Sequence, residues 1–493
     1  MSFRTRGEAF SLAPTHPSRG NSDERNSNEF IHRTGRQRLC VSGSNKTSAL
    51  GLNVVSRRDL LKSGLASVLG GAVGSCTDSH TQILRILGED SSNLKAISEI
   101  LPDFRRVSGI EVVAELADFS TALSKSTADL SAGTGYYDIV LQYNFSLSSY
   151  VRNRYILNID ELKHGNADVF RFEHDILRNV WNELGFYAIP PFDNFNLIEP
   201  IAYPFAANTM ILAMNRRILE DAAIIDAYKE EFHRPFRPPT TWEELARAAN
   251  IISRTNPSLK GIALQGAAGG WLYYEWVHFL FGLGGRIMNK QYGWQSDLNT
   301  PLTLNSDAAV QAVKLYLSMK PANAGDFYSV DAVKQRDIML EGKTAFALMW
   351  TDYIPDLTSK AADMFTFAPV PGTASMIAGG CYFVNRKTRS AANAAALISY
   401  LLSPSIQKRL AKRGLFPPTA PPFNEPEILQ IPYMPAVRDS LMRGIYMAEA
   451  GPDADLISQE ITNALQLAWK GEIRPEQAPT NATKAISEGR KSL

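Results

Sequence analysis

Residues 201–245 of the chain are IAYPFAANTMILAMNRRILEDAAIIDAYKEEFHRPFRPPTTWEEL, and the local order of structure is clearest here. Proline biases the residue before it towards extended geometry, so 203–205 is expected to be extended. The apolar run 209–214 is typical of a short strand. A helix follows, then a proline-rich loop, and then a second helix that begins at a capping Thr240 or Thr241 before acidic residues that suit the helix dipole.

Strands and helices also alternate near the start of the folded body. The segments 81–90, 110–114 and 137–142 have strand character, and amphipathic segments separate them. Such β-α-β-α-β alternation favours a parallel sheet covered by helices. Open α/β sheets bind ligands beyond the carboxyl ends of their strands. The candidate ligand residues at these ends are Glu89, Asp90, Gln142, Tyr143 and Asn144, although each could equally be an ordinary polar loop residue.

Composition restricts the function classes. The chain has 493 residues and a formal charge of +1, and it is long enough for two lobes. Its first 76 residues carry 11 of the 51 Lys and Arg but only 5 of the 50 Asp and Glu, so the remainder is acidic and no nucleic-acid partner is expected. Cys40, Cys76 and Cys381 form neither a disulfide framework nor a metal motif, and we expect no metal and no cofactor.

The N-terminal region predicts export. Arg57 and Arg58 precede a short apolar segment, 63–73, which is typical of a twin-arginine signal. Val73-Gly74-Ser75-Cys76 is similar to a lipoprotein cleavage box, which makes Cys76 the expected lipidation site. We assign 54–76 to this signal and expect 1–53 to be disordered or to precede the true start. A short amphipathic helix and a buried structural cysteine are the alternatives.

Several motifs recur in an order that is typical of one family. They are YPFA and PPTTWEEL within 201–245, EGKTAFALMW at 341–350, PVPG followed by GGCYFV at 369–384, and LFPP at 415–418. This order resembles the extracellular solute-binding proteins of bacterial ABC importers, in the family that includes the maltodextrin-binding proteins. The resemblance covers roughly residues 82–493.

The resemblance implies an α/β, two-lobed periplasmic-binding-protein (Venus-flytrap) fold with three inter-lobe crossings. The crossings are expected near Phe205–Asn208, Gly379–Phe383 and Leu415–Pro417, where the chain would also act as a hinge. The implied lobes comprise 82–206 plus 384–417, and 207–383 plus 418–493.

The resemblance also suggests which side chains hold the ligand. Aromatic faces suit pyranose rings, and pockets pair apolar walls with a few polar groups. Beside the strand-end residues above, the candidates are Trp271, Tyr274, Trp350, Asp352, Gly380 and Tyr382. Trp350 is expected to be the main contact, so that truncating it weakens binding while leaving the free protein almost equally stable. Core packing is the alternative role for these aromatic residues.

The predicted function is the extracytoplasmic substrate-binding component of an ABC importer. It would bind a sugar or oligosaccharide in the inter-lobe cleft, act as a monomer with the permease subunits, and stay lipid-anchored in the periplasm or on the outer membrane face. A polyamine, glycerophosphodiester or other polar solute is the alternative ligand, signalled by an acid-rich or Arg-rich cleft. We expect no enzyme, because the chain lacks the P-loop, HExxH, CxxC and nucleophile-elbow motifs. An exported carbohydrate-active enzyme is the second alternative, since a carboxylate pair leaves no sequence motif.

Overall fold

The computed structural model describes residues 83–164, 167–188, 198–290, 298–447 and 451–493. The predicted start region 1–53, the predicted signal 54–76 and the predicted lipidation site Cys76 lie outside these residues. Among the described residues, no helix is long and apolar enough to cross a membrane.

The first lobe is built on a five-stranded sheet. Its strand order is Glu111–Ala117, Ile83–Glu89, Ile139–Tyr143, Gly380–Val384 and Tyr203–Ala206. The first three strands run parallel, as the alternation of strands and helices predicted, and the last two are antiparallel to their neighbours. The carboxyl ends of the parallel strands therefore meet at one edge, where Glu89 and Tyr143 stand.

The second lobe is built on a four-stranded sheet. Its order is Phe365–Pro369, Met210–Asn215, Thr344–Trp350 and Lys260–Ala263. Every residue of the two central strands is buried, which explains their continuous apolar character in the sequence. Two further strand pairs join Ala374–Ile377 to Gly444–Met447 and Phe186–Ala188 to Ile198–Pro200.

Helices cover the sheets and connect the strands. Before the first crossing they are Ser92–Ser108, Phe119–Ala132, Leu147–Arg152, Ile159–Lys163 and Arg178–Leu184. Between the first and second crossings they are Arg216–Leu219, Ala222–Phe232, Trp242–Thr255, Trp271–Gly282, Asp307–Ser318, Ala332–Leu340 and Ile354–Ala361. Towards the C-terminus they are Ala391–Leu402, Pro404–Ala411, Pro426–Leu429, Met434–Met442, Ala454–Lys470 and Gln477–Gly489.

The helix that starts at Trp242 shows how closely the local sequence predicts the structure. Thr241 caps it, and its side chain accepts a hydrogen bond from the Glu244 amide at 3.2 Å. Trp242 is 1% exposed and stacks on Phe279 with ring centroids 3.8 Å apart. The cap begins the helix while the first side chain fixes it to the core, so one short motif sets both its start and its direction.

The three crossings lie side by side and bond to one another. The Ala207 amide donates to the Phe416 carbonyl at 2.9 Å, and the Ala378 amide donates to the Asn208 carbonyl at 2.9 Å. The second crossing ends earlier than expected, because Gly380–Val384 pairs along its length with Ile139–Tyr143. The predicted lobe boundary after residue 383 would assign most of this strand to the second lobe, away from the sheet in which it pairs. The division of the whole chain into lobes stays a prediction.

A buried polar cluster sits in the core of the second lobe. Glu275 is 0% exposed and accepts hydrogen bonds from the Gln265 amide at 2.9 Å, the Tyr316 hydroxyl at 2.7 Å and the Gln335 amide group at 3.0 Å. Burial raises the pKa of Glu275 to about 8, although these three hydrogen bonds oppose the rise. No salt bridge to Glu275 occurs in the described part of the chain.

We expect Glu275 to make the fold less stable as pH rises. Its pKa moves from 4.5 to about 8 on folding, so between these values the folded state holds a proton that the unfolded state has lost. The free energy of unfolding should fall across this interval, and Glu275→Gln, which never ionises, should show a shallower fall in urea titrations at several pH values. The exposed Glu472→Gln is the control and should follow the parent. Identical pH slopes for the parent and Glu275→Gln would contradict this reasoning.

Candidate functional site

A cavity of about 680 Å³, counted out to its mouth, lies where the two lobes meet. The side chains around it come from both sheets and from the first two crossings. They are Glu89, Phe119, Tyr143, Asn144, Phe145, Asn208, Gly269, Trp271, Tyr274, Trp350, Asp352, Tyr353, Ile377 and Ala378. No Lys, Arg or His is among these described residues.

The first lobe contributes two strand-end residues that touch. Glu89 is the last residue of one strand and Tyr143 the last residue of the strand beside it. The Tyr143 hydroxyl donates a hydrogen bond to the Glu89 carboxylate. Parallel strands end at the same edge of a sheet, so this contact follows from the topology of the first lobe.

The second lobe contributes Asp352, which reaches across to the first lobe. Asp352 lies in a 3-10 turn directly after the strand that ends at Trp350. One carboxylate oxygen accepts from Asn93 at 3.1 Å, and the other accepts from Asn208 at 2.7 Å. The Tyr143 hydroxyl lies 3.2 Å from the same oxygen that Asn208 contacts. Asp352 therefore bonds to the first lobe and to a crossing at once.

The shared hydroxyl limits the charge of this cluster. Tyr143 has one hydroxyl hydrogen, so it can donate to Glu89 or to Asp352 but not to both. Burial, and then the nearby Glu89 charge, raise the pKa of Asp352 to about 8. Burial also raises the pKa of Glu89, with Asp90 and Asp118 adding to the effect and the Tyr143 hydrogen bond opposing it. Both carboxyls therefore keep their protons to a higher pH than they would in water.

Aromatic rings form the walls of the cavity. Phe119 lies 6.0 Å from Tyr143 and 6.3 Å from Trp271, measured between ring centroids, so it joins rings of the two lobes. Tyr274 meets Trp350 edge to face at 6.2 Å. Such rings provide flat apolar faces on which a ligand can stack.

A glycine turn places two of the four aromatic residues that the second lobe contributes to the lining. Gly270 has a φ of 97°, in the left-handed region that glycine adopts without strain. A Cβ at this position would come within 2.7 Å of the Tyr274 ring. The turn therefore allows Trp271 and Tyr274 to stand in the first turn of the helix that faces the cavity.

Two hydrogen-bond donors on the lining lack a partner. The Asn144 side-chain nitrogen and the Trp350 indole nitrogen are buried and form no hydrogen bond to the described residues. Asn144 is 3% exposed and Trp350 is 7% exposed. An unpaired buried donor costs free energy, so a small side-chain adjustment that brings either nitrogen to an acceptor oxygen would be favourable.

The structure brings seven of the eleven predicted ligand residues to the cavity. They are Glu89, Tyr143, Asn144, Trp271, Tyr274, Trp350 and Asp352. Trp350 also belongs to the core of the second lobe. Its truncation would therefore lower the stability of the free protein, contrary to the expectation from sequence.

Four predicted ligand residues lie away from the cavity. Asp90 is exposed and pairs with Lys95 at 3.2 Å. Gln142 precedes Tyr143 in its strand and therefore points to the opposite face of the sheet. Tyr382 is buried in the core of the first lobe. A Cβ at Gly380 would come within 2.6 Å of the Gln142 carbonyl, so this glycine serves close packing of strands.

Other lining residues escaped the sequence reasoning. Phe119 follows the strand Glu111–Ala117, so the strand-end rule applied to this third loop could have found it. No sequence signal points to Asn208, because it lies in a crossing and not at the end of a parallel strand. Its role is to contact Asp352, which is distant in sequence. Asn93 is fully buried and donates a hydrogen bond to the Asp352 carboxylate. In the described residues, no group of His, Cys, Asp and Glu could hold a metal ion.

The geometry agrees with what comparison with known proteins finds. A family model described as "Bacterial extracellular solute-binding protein" matches residues 99–434. A probable amino-acid ABC transporter periplasmic-binding protein, y4oP of Sinorhizobium fredii, is 22% identical over 415 residues, which are 81% of this chain and 87% of that protein.

Solved structures share the fold. An ABC transporter solute-binding protein from Agrobacterium radiobacter K84, in complex with ribitol, has a TM-score of 0.65 and 18% identity, covering 82% of this chain and 98% of that one. The maltose-bound MalE3 of T. maritima has a TM-score of 0.66 and 16% identity, covering 82% of this chain and 99% of that one. The predicted two-lobed periplasmic-binding-protein fold is confirmed.

Hydrogen bonds across the cleft should stabilise its closed form. Asn93→Ala removes a donor from the Asp352 carboxyl and puts nothing in its place, so closure costs more and the open population grows. Small-angle scattering without ligand should give a larger radius of gyration than the parent. Asn250→Ala is the control, because Asn250 bonds to Ala246 and Ser318 within one lobe. Superimposable curves for the parent and Asn93→Ala would show that this bond does not govern closure.

Proposed function

The chain belongs to the bacterial extracellular solute-binding proteins, and from that membership we propose that it captures a sugar or polyol in the inter-lobe cavity for an ABC importer. The members of this family are binding proteins. Ligand would bind to the open form and stabilise the closed form. In our proposal, the permease recognises the closed form.

The chemistry of the cavity wall carries the proposal. Trp271, Tyr274 and Trp350 present flat apolar faces, while Glu89 and Asp352 accept hydrogen bonds. The unpaired donors of Asn144 and Trp350 require acceptors. A hydroxyl group both donates and accepts, so a solute that carries a rim of hydroxyls around an apolar C–H skeleton complements all three features.

The relatives support the same class of ligand. Two similar solved structures hold ribitol and maltose. A curated relative is described as a probable amino-acid binding protein. We favour a sugar or polyol over an amino acid, because an amino acid would bring a carboxylate next to Glu89 and Asp352 with no cationic group in the described lining to receive it.

The proposal includes the cellular arrangement. Export through the segment 54–76 would place the folded body outside the cytoplasm, and acylation of Cys76 would hold it at the membrane beside its permease. The lobes would form a complete cleft within one chain, so a monomer suffices for binding.

Ligand should raise the thermal stability of the protein. A solute that binds only the folded state increases the melting temperature by mass action. We expect sugars or polyols to give the largest shifts in a panel that also contains polyamines, glycerophosphodiesters and amino acids. A shift confined to one of those other classes would overturn the proposed ligand. Recovery of the ligand unchanged after long incubation would separate binding from the carbohydrate-active enzyme that is the other alternative.

Trp271 is the sharpest test of the cavity. It lines the cavity and only its partly buried ring packs against the second-lobe core, so Trp271→Ala should lower the melting temperature of the free protein less than Trp350→Ala does. Loss of an aromatic anchor costs about 2 kcal/mol or more, which weakens binding about thirtyfold. Calorimetry with a ligand from the panel measures this, and Tyr328→Ala, an exposed aromatic residue outside the lining, is the control. Unchanged affinity in Trp271→Ala would place the binding site elsewhere.

Lipid anchoring has its own test. Cys76→Ser should move the protein from the membrane fraction to the soluble exported fraction, because the acyl chains would have no attachment site. Cys40→Ser is the matched control and should fractionate with the parent. Equal membrane association of the parent and Cys76→Ser would refute the lipoprotein assignment.

A further inference from the structure

The charge of the cavity is not balanced. Glu89 and Asp352 line it together, and Asp90 and Asp118 add to the negative charge around Glu89. Within the described part of the chain, neither Glu89 nor Asp352 forms a salt bridge. Glu89 and Asp352 are half-buried, and taking a carboxylate out of water without a counter-charge is costly, so the cavity favours a proton or a cation beside them.

Two basic side chains in this part of the structure are already engaged. Lys95 pairs with Asp90 at 3.2 Å, outside the cavity. Arg336 pairs with Asp337 at 2.8 Å and with Asp356 at 2.9 Å. Neither can therefore neutralise the cavity carboxylates without leaving its own partners.

The two carboxylates differ in how many donors they meet. Asp352 accepts from the two asparagine side chains, Asn93 and Asn208, and lies next to the Tyr143 hydroxyl. The side chain of Glu89 meets the Tyr143 hydroxyl alone among the described residues. These donors are neutral, so they satisfy hydrogen bonds but not the charge, and Glu89 keeps acceptor capacity for a ligand.

We propose that the captured solute carries a protonated amine, held between Glu89 and Asp352 inside the aromatic walls. This inference rests on the proposed function and names the class more closely, as an amino sugar or an amino polyol. The ammonium supplies the missing positive charge and hydrogen-bond donors, while hydroxyls meet Asn144 and Trp350. Aromatic faces attract cations through their quadrupole, which makes the rings near the carboxylates a second favourable contact.

Binding of the amine exchanges a proton for the ligand. The ammonium keeps its own protons and lowers the pKa of both carboxyls, so a proton that the empty cavity holds leaves for solvent. The pKa of Asp352 is about 8, so the affinity for the amine rises with pH below that value, by up to about tenfold per pH unit. The other titratable groups that act on the pair are Tyr143, Tyr353, Asp90 and Asp118. Lys95 pairs with Asp90, and both Asp331 and Arg336 act on Tyr353.

The test uses pairs of neutral and amino compounds with the same skeleton. Sorbitol is paired with glucamine, which has an amine in place of one terminal hydroxyl, and glucose is paired with glucosamine. Spermidine supplies amines without hydroxyls. Calorimetry at about pH 6 and about pH 8, in buffers of different ionisation heat, measures affinity and proton release together.

We expect the amino member of a pair to bind at least about tenfold more tightly at the higher pH, with release of a proton. Glu89→Gln should abolish this preference, so that the two members of a pair bind with equal affinity. Asp118→Asn is the control, because it removes a nearby charge outside the cavity lining and its amide can still cap the helix at Thr121. It should keep the preference to within about twofold.

The outcomes separate the two proposals. Equal or tighter binding of the neutral members overturns the amine inference and leaves the sugar or polyol function standing. Binding of spermidine without binding of any hydroxylated compound supports a cation site but overturns the proposed function. Failure of every compound to bind to a correctly folded parent, as judged by its melting curve, overturns both.

Discussion

The site depends on one carboxylate that the fold places between its lobes. Asp352 belongs to the second lobe, yet its hydrogen-bond partners Asn93 and Tyr143 belong to the first, and Asn208 to a crossing. Asp352 is half-buried, and a carboxyl that loses part of its water needs donors around it, so these contacts fix the distance between the lobes as well as the position of Asp352. The walls and the acidic side of the cavity are thus set by the same interaction.

Close backbone packing at the crossings determines how the lobes can move. Asn208 and Ala378 are bonded through their backbones, and so are Ala207 and Phe416. A Cβ at Gly379 would come within 2.2 Å of the Ala206 carbonyl, so no larger residue fits. Because the crossings contact one another, a rotation of the lobes must change several neighbouring backbone torsions together, as in a hinge. The same packing brings Asn208 and Ala378 into the lining, so movement at the hinge alters the cavity directly.

The sequence predicted the fold well because each element carried its own signal. The Thr241 cap and the apolar strand before Trp350 are local patterns, and both lie where they were expected. The site was predicted in part, since strand ends place Glu89 and Tyr143, but alternation turns Gln142 to the other face. Asn93 could not be found in this way, because its importance comes from Asp352, which is far away in the chain and meets it only after folding.

Charge and closure are coupled in this architecture. When the lobes close, Glu89 and Asp352 lose part of their water. The neutral Tyr143 hydroxyl that contacts them cannot cancel two negative charges. The raised pKa of both carboxyls is the consequence, since taking up a proton is the only remedy that the described lining offers. A ligand can favour the closed form only through its greater affinity for that form. A solute that replaces the lost proton with its own positive charge gains most from closure. The two carboxylates raise the free energy of closure without such a solute, and they therefore make closure selective for it.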